Sequence, residues 1–446
     1  MRKRIIALAA FAVAAPALFS PAVLAQPAPP AAPAALSEQA RQEVVAKLSG
    51  ALRERYVFPD VGEKAAARIT AALAAGDYSA LGDPASFAAR LQADVDAVAH
   101  DKHLRINAMN GPPPGPPPGG QAMPPAEAGI VRADRLPGGV GYIEVVGFPP
   151  PEAFRPAIDR AMSALAGSKA LIVDIRRNGG GAPPSVAYLV SFLLPPGQAV
   201  PINDIVSRVA GTANFTRESF RRVPTPVSFA GVPVYVLTSS RTFSGGEEFA
   251  YDVKSLKRGV LVGEVTGGGA NPTGPVPLGN GFMASIPFGR AENPVTKTNW
   301  EGRGVEPDVK APAAEALKLA LERLGQKPAV TVAEASGQQV FAPRSTPLPG
   351  TEAALRAIVA GLASGKPDYQ AMSPELAERT REQLPDLQRL LQPLGELRSA
   401  AFAAPLGGGD AYDLVFANGT LRMGVILGPD GKIVGSMIAP GRPPAR

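Results

Sequence analysis

The stretch YVLTSSRTFSGGEEFAYDVKSL, residues 235–256, decides how this chain is read. An apolar β-branched run ends in Ser/Thr, and a helix begins at the two glycines after Ser244. A strand that hands over to a helix in this way is half of a crossover unit. It also puts Ser244 at the carboxyl end of a strand, where open α/β sheets bind ligands. Two readings of Ser244 stand side by side. As a nucleophile, it would have backbone N–H groups at a helix N-terminus to meet an oxyanion. As a cap, it would open a Ser-Gly-Gly-Glu capping box. The nucleophile elbow is excluded, since Thr242 stands where that motif needs glycine.

Working outward, the same alternation recurs. GGVGYIEVVGF is a strand, PEAFRPAIDRAMSALAG a helix, KALIVDI a strand ending in RRNGGG, PSVAYLVSFLL a helix and GVLVGEV a strand. Strands alternating with helices imply a largely parallel sheet, and continuous apolar runs imply burial on both faces. After Gly279 the pattern turns to hairpins, then to a closing helix over 314–324. The α/β unit is expected over 126–325. Before it, residues 36–105 show helical periodicity and form a small helical domain, joined by the Pro/Gly-rich loop 110–125. After it, 326–348 reads as a linker. Residues 349–441 read as an α+β unit, two helices followed by four strands with hairpin signals at ANGT and GPDGK.

Residues 1–25, MRKRIIALAAFAVAAPALFSPAVLA, have a basic start, an apolar run and a small-residue end, the form of a secretory signal cleaved at Ala25/Gln26. A retained anchor is the alternative, but Pro16 and Pro21 interrupt the run. Residues 26–35 are a Pro/Ala linker. The expected location is the periplasm or the exterior of a bacterium, with no stable membrane insertion after cleavage. The chain has no cysteine, which excludes disulfides and thiolate chemistry. Of the net charge of +6, three units come from Arg2, Lys3 and Arg4. No basic run interleaves with aromatics, so nucleic acid is not an expected partner.

A serine nucleophile needs a base, and the chain has two histidines, His100 and His103, both in VAHDKHLRI. His100 falls at a helix end, whereas His103 opens the following strand; either reads equally as a surface or packing residue. RRNGGG (176–181) is a turn or a second source of oxyanion N–H groups; it lacks the spacing of a phosphate loop. In NWEGRGVEPD (299–308), Glu301 stands beside the chain's only tryptophan, able to orient a histidine or to sit in a surface turn.

Taken in order, DKH, DIRRNGGG, TSSRTFSGGEEFAYDVK, GVLVGEVTGGGA and EGRGVEPDV resemble the S41 serine peptidases, over roughly 36–325. That family includes carboxyl-terminal processing peptidases, tricorn core peptidases and the retinoid-binding module of the vertebrate eye. The resemblance implies a crotonase-like ββα core, Ser244 as nucleophile, Gly245 as one oxyanion donor and Gly179 or Gly180 as the second. The processing branch places a lysine base where this chain has Gly269. The tricorn-like branch uses His and Glu, which match His103 and Glu301, although Lys102 replaces that branch's serine before the histidine. No cofactor or metal is implied. The expected partner is a peptide or unfolded protein. Residues 349–441 are similar to NTF2-like rolls, which implies ligand binding or a homodimer through that unit. The alternative function is a non-catalytic S41-like protein that binds an apolar ligand or peptide.

Overall fold

The computed structural model describes residues 36–109, 126–406, 408–428 and 430–440. The signal segment and the loop 110–125 expected from the sequence lie outside the described residues. Among those residues, no helix is long and apolar enough to cross a membrane.

The chain opens with helices α1 (Glu38–Arg55), α2 (Pro59–Ala74) and α3 (Pro84–Ala99). Ser37 caps α1 by accepting from Ala40 N–H (3.1 Å), and Asp83 caps α3 by accepting from Ser86 N–H (2.7 Å). His100 ends α3 with φ at 51°. That left-handed turn sends the chain back into β1 (Arg105–Ala108), with His103 in the bend. The apolar faces of the helices do not close on themselves. Val44, Leu48, Leu52, Phe87 and Leu91 share one core with Leu278, Phe282, Ala284 and Ile286 from a distant hairpin.

The central body runs β2 (Ile130–Leu136), β3 (Val140–Val145), α4 (Pro151–Ala164), β4 (Ala170–Asp174), α5 (Pro183–Ser191), β5 (Pro201–Arg208), β6 (Phe215–Arg221), β7 (Val234–Thr238), α6 (Gly245–Ser255) and β8 (Val260–Gly263). The hairpin β9 (Thr273–Gly279) and β10 (Phe282–Pro287) follows, then β11 (Gly289–Glu292), β12 (Val309–Lys310), α7 (Ala316–Arg323) and β13 (Gln338–Phe341). Seven strands form a mixed sheet in the order β12-β8-β7-β4-β3-β2-β13. β3, β4, β7, β8 and β12 are parallel; β2 and β13 add antiparallel strands at one edge. Residues 326–348 thus hold a strand of this sheet as well as connecting chain. Alternate residues of one strand enter separate cores: Leu171 and Val173 face α4, α5 and α6, while Ala170 and Ile172 face α7. The register Asp174↔Leu237↔Val262 aligns the carboxyl ends of the parallel strands. β5, β6 and β11 form a small antiparallel sheet, and β1 pairs with β10.

The chain ends with α8 (Thr351–Ser364) and α9 (Pro374–Leu391) packed on a four-stranded antiparallel meander, β14 (Leu397–Leu406), β15 (Gly409–Phe416), β16 (Gly419–Leu427) and β17 (Ile433–Pro440). Arg344 ties this unit to the body by pairing with both Glu127 (3.1 Å) and Asp410 (3.1 Å).

Candidate active site

Ser244 joins β7 to α6 with φ 54° and ψ −121°. The helix caps Ser37 (φ −69°, ψ 159°) and Ser373 (φ −64°, ψ 155°) show what an ordinary capping serine does in this chain: each is extended, and its hydroxyl accepts from the third residue on. Ser244 keeps the outline of the capping box, and the Glu247 carboxylate accepts from its N–H at 2.9 Å. Its hydroxyl, however, makes no side-chain cap hydrogen bond. A backbone conformation this sparsely populated persists only where the surroundings enforce it, and it is characteristic of functional sites.

The enforcement comes from the RRNGGG loop after β4. Phe243 N–H donates to Asn178 O (2.9 Å), Thr242 Oγ1 to Ile175 O (2.8 Å) and Ser239 Oγ to Arg176 O (2.5 Å). The glycines permit this approach. A β-carbon at Gly180 would lie 2.6 Å from Ser244 Cβ, and one at Gly246 would lie 2.8 Å from Asn178 Oδ1. The N–H groups of Gly179 and Gly180, expected as oxyanion donors, are used inside the loop, donating to Val146 O (3.3 Å) and Asn178 Oδ1 (2.8 Å). Gly181 and Gly245 line the cleft in front of Ser244, and no hydrogen bond from either N–H occurs among the described residues. The N–H groups left unused beside Ser244 are thus those of Gly181 and Gly245, because Asn178 turns the Gly180 N–H inward.

Glu247 organises the opposite wall. Its buried carboxylate accepts from four donors: Ser244 N–H, Thr266 Oγ1 (2.5 Å), Gly268 N–H (2.6 Å) and Gly269 N–H (2.8 Å). Trp300 Nε1 donates to Gly269 O (2.7 Å) from the other side. Lys102 Nζ reaches Gly267 O (2.5 Å), which fastens the His103 bend to this loop.

His103 lies in the same cleft as Ser244, its ring stacked at 4.7 Å on Phe243. A ring nitrogen of His103 and carboxylate oxygens of Asp101 and Glu301 all lie within 4.8 Å of one another. Asp101 holds the bend by accepting from His103 N–H (2.9 Å), Tyr56 Oη (3.1 Å) and Asn271 Nδ2 (2.8 Å). Glu301 Oε2 accepts from Ala270 N–H, while its Oε1 and His103 Nδ1 are buried without a hydrogen-bond partner. Burial lowers the affinity of His103 for a proton, against the Asp101 charge, so the imidazole is neutral and basic near pH 7. Burial pushes the Glu301 carboxyl up to about 7, against the donated Ala270 N–H and with the Asp101 charge adding to it. These three are the one group of His and acidic side chains among the described residues spaced to hold a metal. Asp101 already accepts from three donors, whereas His103 Nδ1 and Glu301 Oε1 stay unpartnered. His100 is exposed at the end of α3 and does not line the cleft.

The cleft encloses about 350 Å³. A larger one of about 600 Å³ is lined by the paired Arg176–Asp174 and Arg177–Glu144, but it contains no histidine and shares no lining residue with the first. Sequence reasoning missed Asp101, Glu247, Phe243 and Gly181. The Asp–Lys–His spacing and the Glu of the capping box were the available signals for the first two; nothing in the sequence singled out the others.

Residues 139–311 match the family model described as peptidase family S41, and residues 35–130 match that described as the N-terminal domain of Peptidase_S41 in eukaryotic IRBP. Among solved structures, a protein of Parabacteroides merdae assigned as a peptidase has 18% identity and a TM-score of 0.47, over 66% of this chain and 95% of that one. The photosystem II D1 C-terminal processing protease has 16% identity and a TM-score of 0.42, over 66% and 96%. The tricorn protease has 15% identity and a TM-score of 0.41, over 66% of this chain and 36% of that one.

Proposed function

Since the chain carries the S41 peptidase domain and the N-terminal domain that accompanies it, we propose that it is an exported serine peptidase hydrolysing peptides or unfolded protein segments. The carrying observation is the strained Ser244 in one cleft with a neutral His103. In this reading His103 takes the Ser244 proton as the hydroxyl attacks the scissile carbonyl, then returns it to the leaving amine. Glu301 stabilises the charged imidazole, directly or through a bridging hydroxyl. The N–H groups of Gly245 and Gly181 meet the oxyanion, each worth about 3 kcal/mol in well-studied cases. Use of His and Glu assigns the protein to the tricorn-like branch. Gly269, in place of the lysine of the processing branch, supports that assignment. Export follows from the signal-like residues 1–25. An NTF2-like identity and dimerisation for 349–441 remain part of the same reading, supported by the order of two helices and four antiparallel strands.

The match of residues 35–130 to the IRBP domain supports a second reading, a binding protein for an apolar ligand or peptide. One experiment separates the two. A fluorophosphonate is added to residues 26–446 as wild type, Ser244→Ala and His103→Ala, and intact mass is recorded. A single adduct on wild type, mapped to Ser244 and lost in both variants, supports the peptidase. No adduct on folded wild type overturns it in favour of the binding protein.

A further inference from the structure

Below Ser244 the cleft ends on polar groups that this mechanism does not use. Glu248 N–H donates to Ser244 O (2.9 Å), which sets Glu248 one helical turn into α6 from Ser244. Glu248 lines the cleft, is 4% exposed, and has no hydrogen-bond partner for Oε1 among the described residues. The Asn203 amide lies close enough to ease the Glu248 charge, yet neither its Oδ1 nor its Nδ2 makes a hydrogen bond of normal geometry. One turn further along, Asp252 is fully buried; its Oδ1 accepts from Asn293 Nδ2 (3.0 Å), and its Oδ2 has no partner. No ion pair to Glu248 or Asp252 occurs among the described residues. Ile205, Ala270, Pro272 and Trp300 give the cleft apolar walls above this floor.

Buried polar atoms without partners are costly, and of these residues Glu248 is the one that lines the cleft, with Asn203 and Asp252 buried behind it. Asn203 Nδ2 is the one unpartnered donor beside them, so Glu248 Oε1, which lines the cleft, is the acceptor that a ligand could reach. Burial pushes Glu248 up to about 7 and Asp252 well above its ordinary range, the latter also through the Glu248 charge. A cation entering the cleft would meet the Glu248 carboxylate.

We propose that this cleft is the specificity pocket for a lysine or arginine side chain of the peptide substrate. The apolar walls hold its aliphatic stem, and Glu248 accepts from its cationic head at the floor. The span from Ser244 to Glu248 is one helical turn, within reach of such a stem. The proposal rests on the peptidase reading for its substrate class, but it can be tested without turnover.

The test uses the full mature chain carrying Ser244→Ala, with end-blocked pentapeptides Ala-Ala-Xaa-Ala-Ala in which Xaa is lysine, arginine or norleucine. Calorimetry is expected to show the lysine or arginine peptide binding roughly tenfold or more tighter than the norleucine peptide. Adding Glu248→Gln is expected to bring that ratio to within about twofold. Equal binding of the lysine and norleucine peptides to the Ser244→Ala protein overturns the proposal, whether or not the Gln variant folds. So does a preference that survives Glu248→Gln, or saturable calcium binding that requires Glu248 and leaves no peptide preference. Fluorophosphonate labelling of wild type without a lysine preference sinks the pocket alone; a lysine preference without labelling sinks the peptidase reading alone.

Discussion

Gly269 and His103 approach so closely that a β-carbon on the glycine would lie 2.6 Å from the imidazole Cε1, and 2.4 Å from Cζ of Phe243. The space that a lysine base would need at this position is already filled by the stacked imidazole and phenyl rings. In the proposed mechanism, the use of His103 rather than a lysine at 269 is thus a matter of volume as well as of chemistry.

Gly269→Ala tests that relationship. The added methyl displaces the imidazole or the phenyl ring, since the Gly269 backbone is held by Glu247 and Trp300. The rate of Ser244 labelling is expected to fall roughly a hundredfold, with a loss of about 1–3 kcal/mol in chemical denaturation. An unchanged labelling rate would show that His103 is not the base.

Ser244→Gly separates strain from capping. At φ 54° and ψ −121° a glycine relieves strain that any other residue bears. The variant is expected to gain about 1 kcal/mol of unfolding free energy, while it loses labelling. A serine acting as an ordinary cap would instead be neutral or slightly stabilising relative to glycine.

The pH profile reports on Glu301. In the proposed mechanism activity requires neutral His103 and ionised Glu301. Burial places the His103 transition below its ordinary value of 6.5 and the Glu301 transition at about 7. The acid limb of kcat/KM is therefore expected near pH 7 and to belong to Glu301. Glu301→Gln should move the limb below 6.5 and lower the plateau roughly a hundredfold or more. A limb that stays near 7 in that variant would remove Glu301 from the relay.

Stability should decline as pH rises. The Glu248 carboxyl is raised from 4.5 to about 7 in the folded chain. Its contribution is therefore fully present below 4.5 and is lost as pH rises through 7, because the folded state holds a proton that the unfolded state releases. The loss is of order 3 kcal/mol at most. Tm measured from pH 5 to pH 8 is expected to fall more steeply for wild type than for Glu248→Gln; parallel slopes would contradict the buried, unpaired state of Glu248.

The order of elements was legible because it is carried by local signals. Apolar runs marked β4 and β7, and Ser37 marked the start of α1. The mixed character of the sheet was not legible, since β13 is the four residues QQVF in a segment rich in turn formers. At the site, Ser244, His103 and Glu301 stood out by residue type and order. Their environment did not. Gly181 differs from Gly179 and Gly180 only in which N–H Asn178 leaves free. Glu248 reads as one more charge on a helix until burial shows that nothing neutralises it.

The pairing of β1 with β10 sets Arg105 opposite Ser285, so the bend that carries His103 is held by chain made 180 residues later. The apolar faces of α1 and α3 also wait for Leu278 and Phe282. During synthesis, then, Ser244 and His103 are both polymerised before the hairpin that holds the His103 bend exists. A growing chain cannot assemble the cleft until the hairpin, and Trp300 and Glu301 beyond it, have been made.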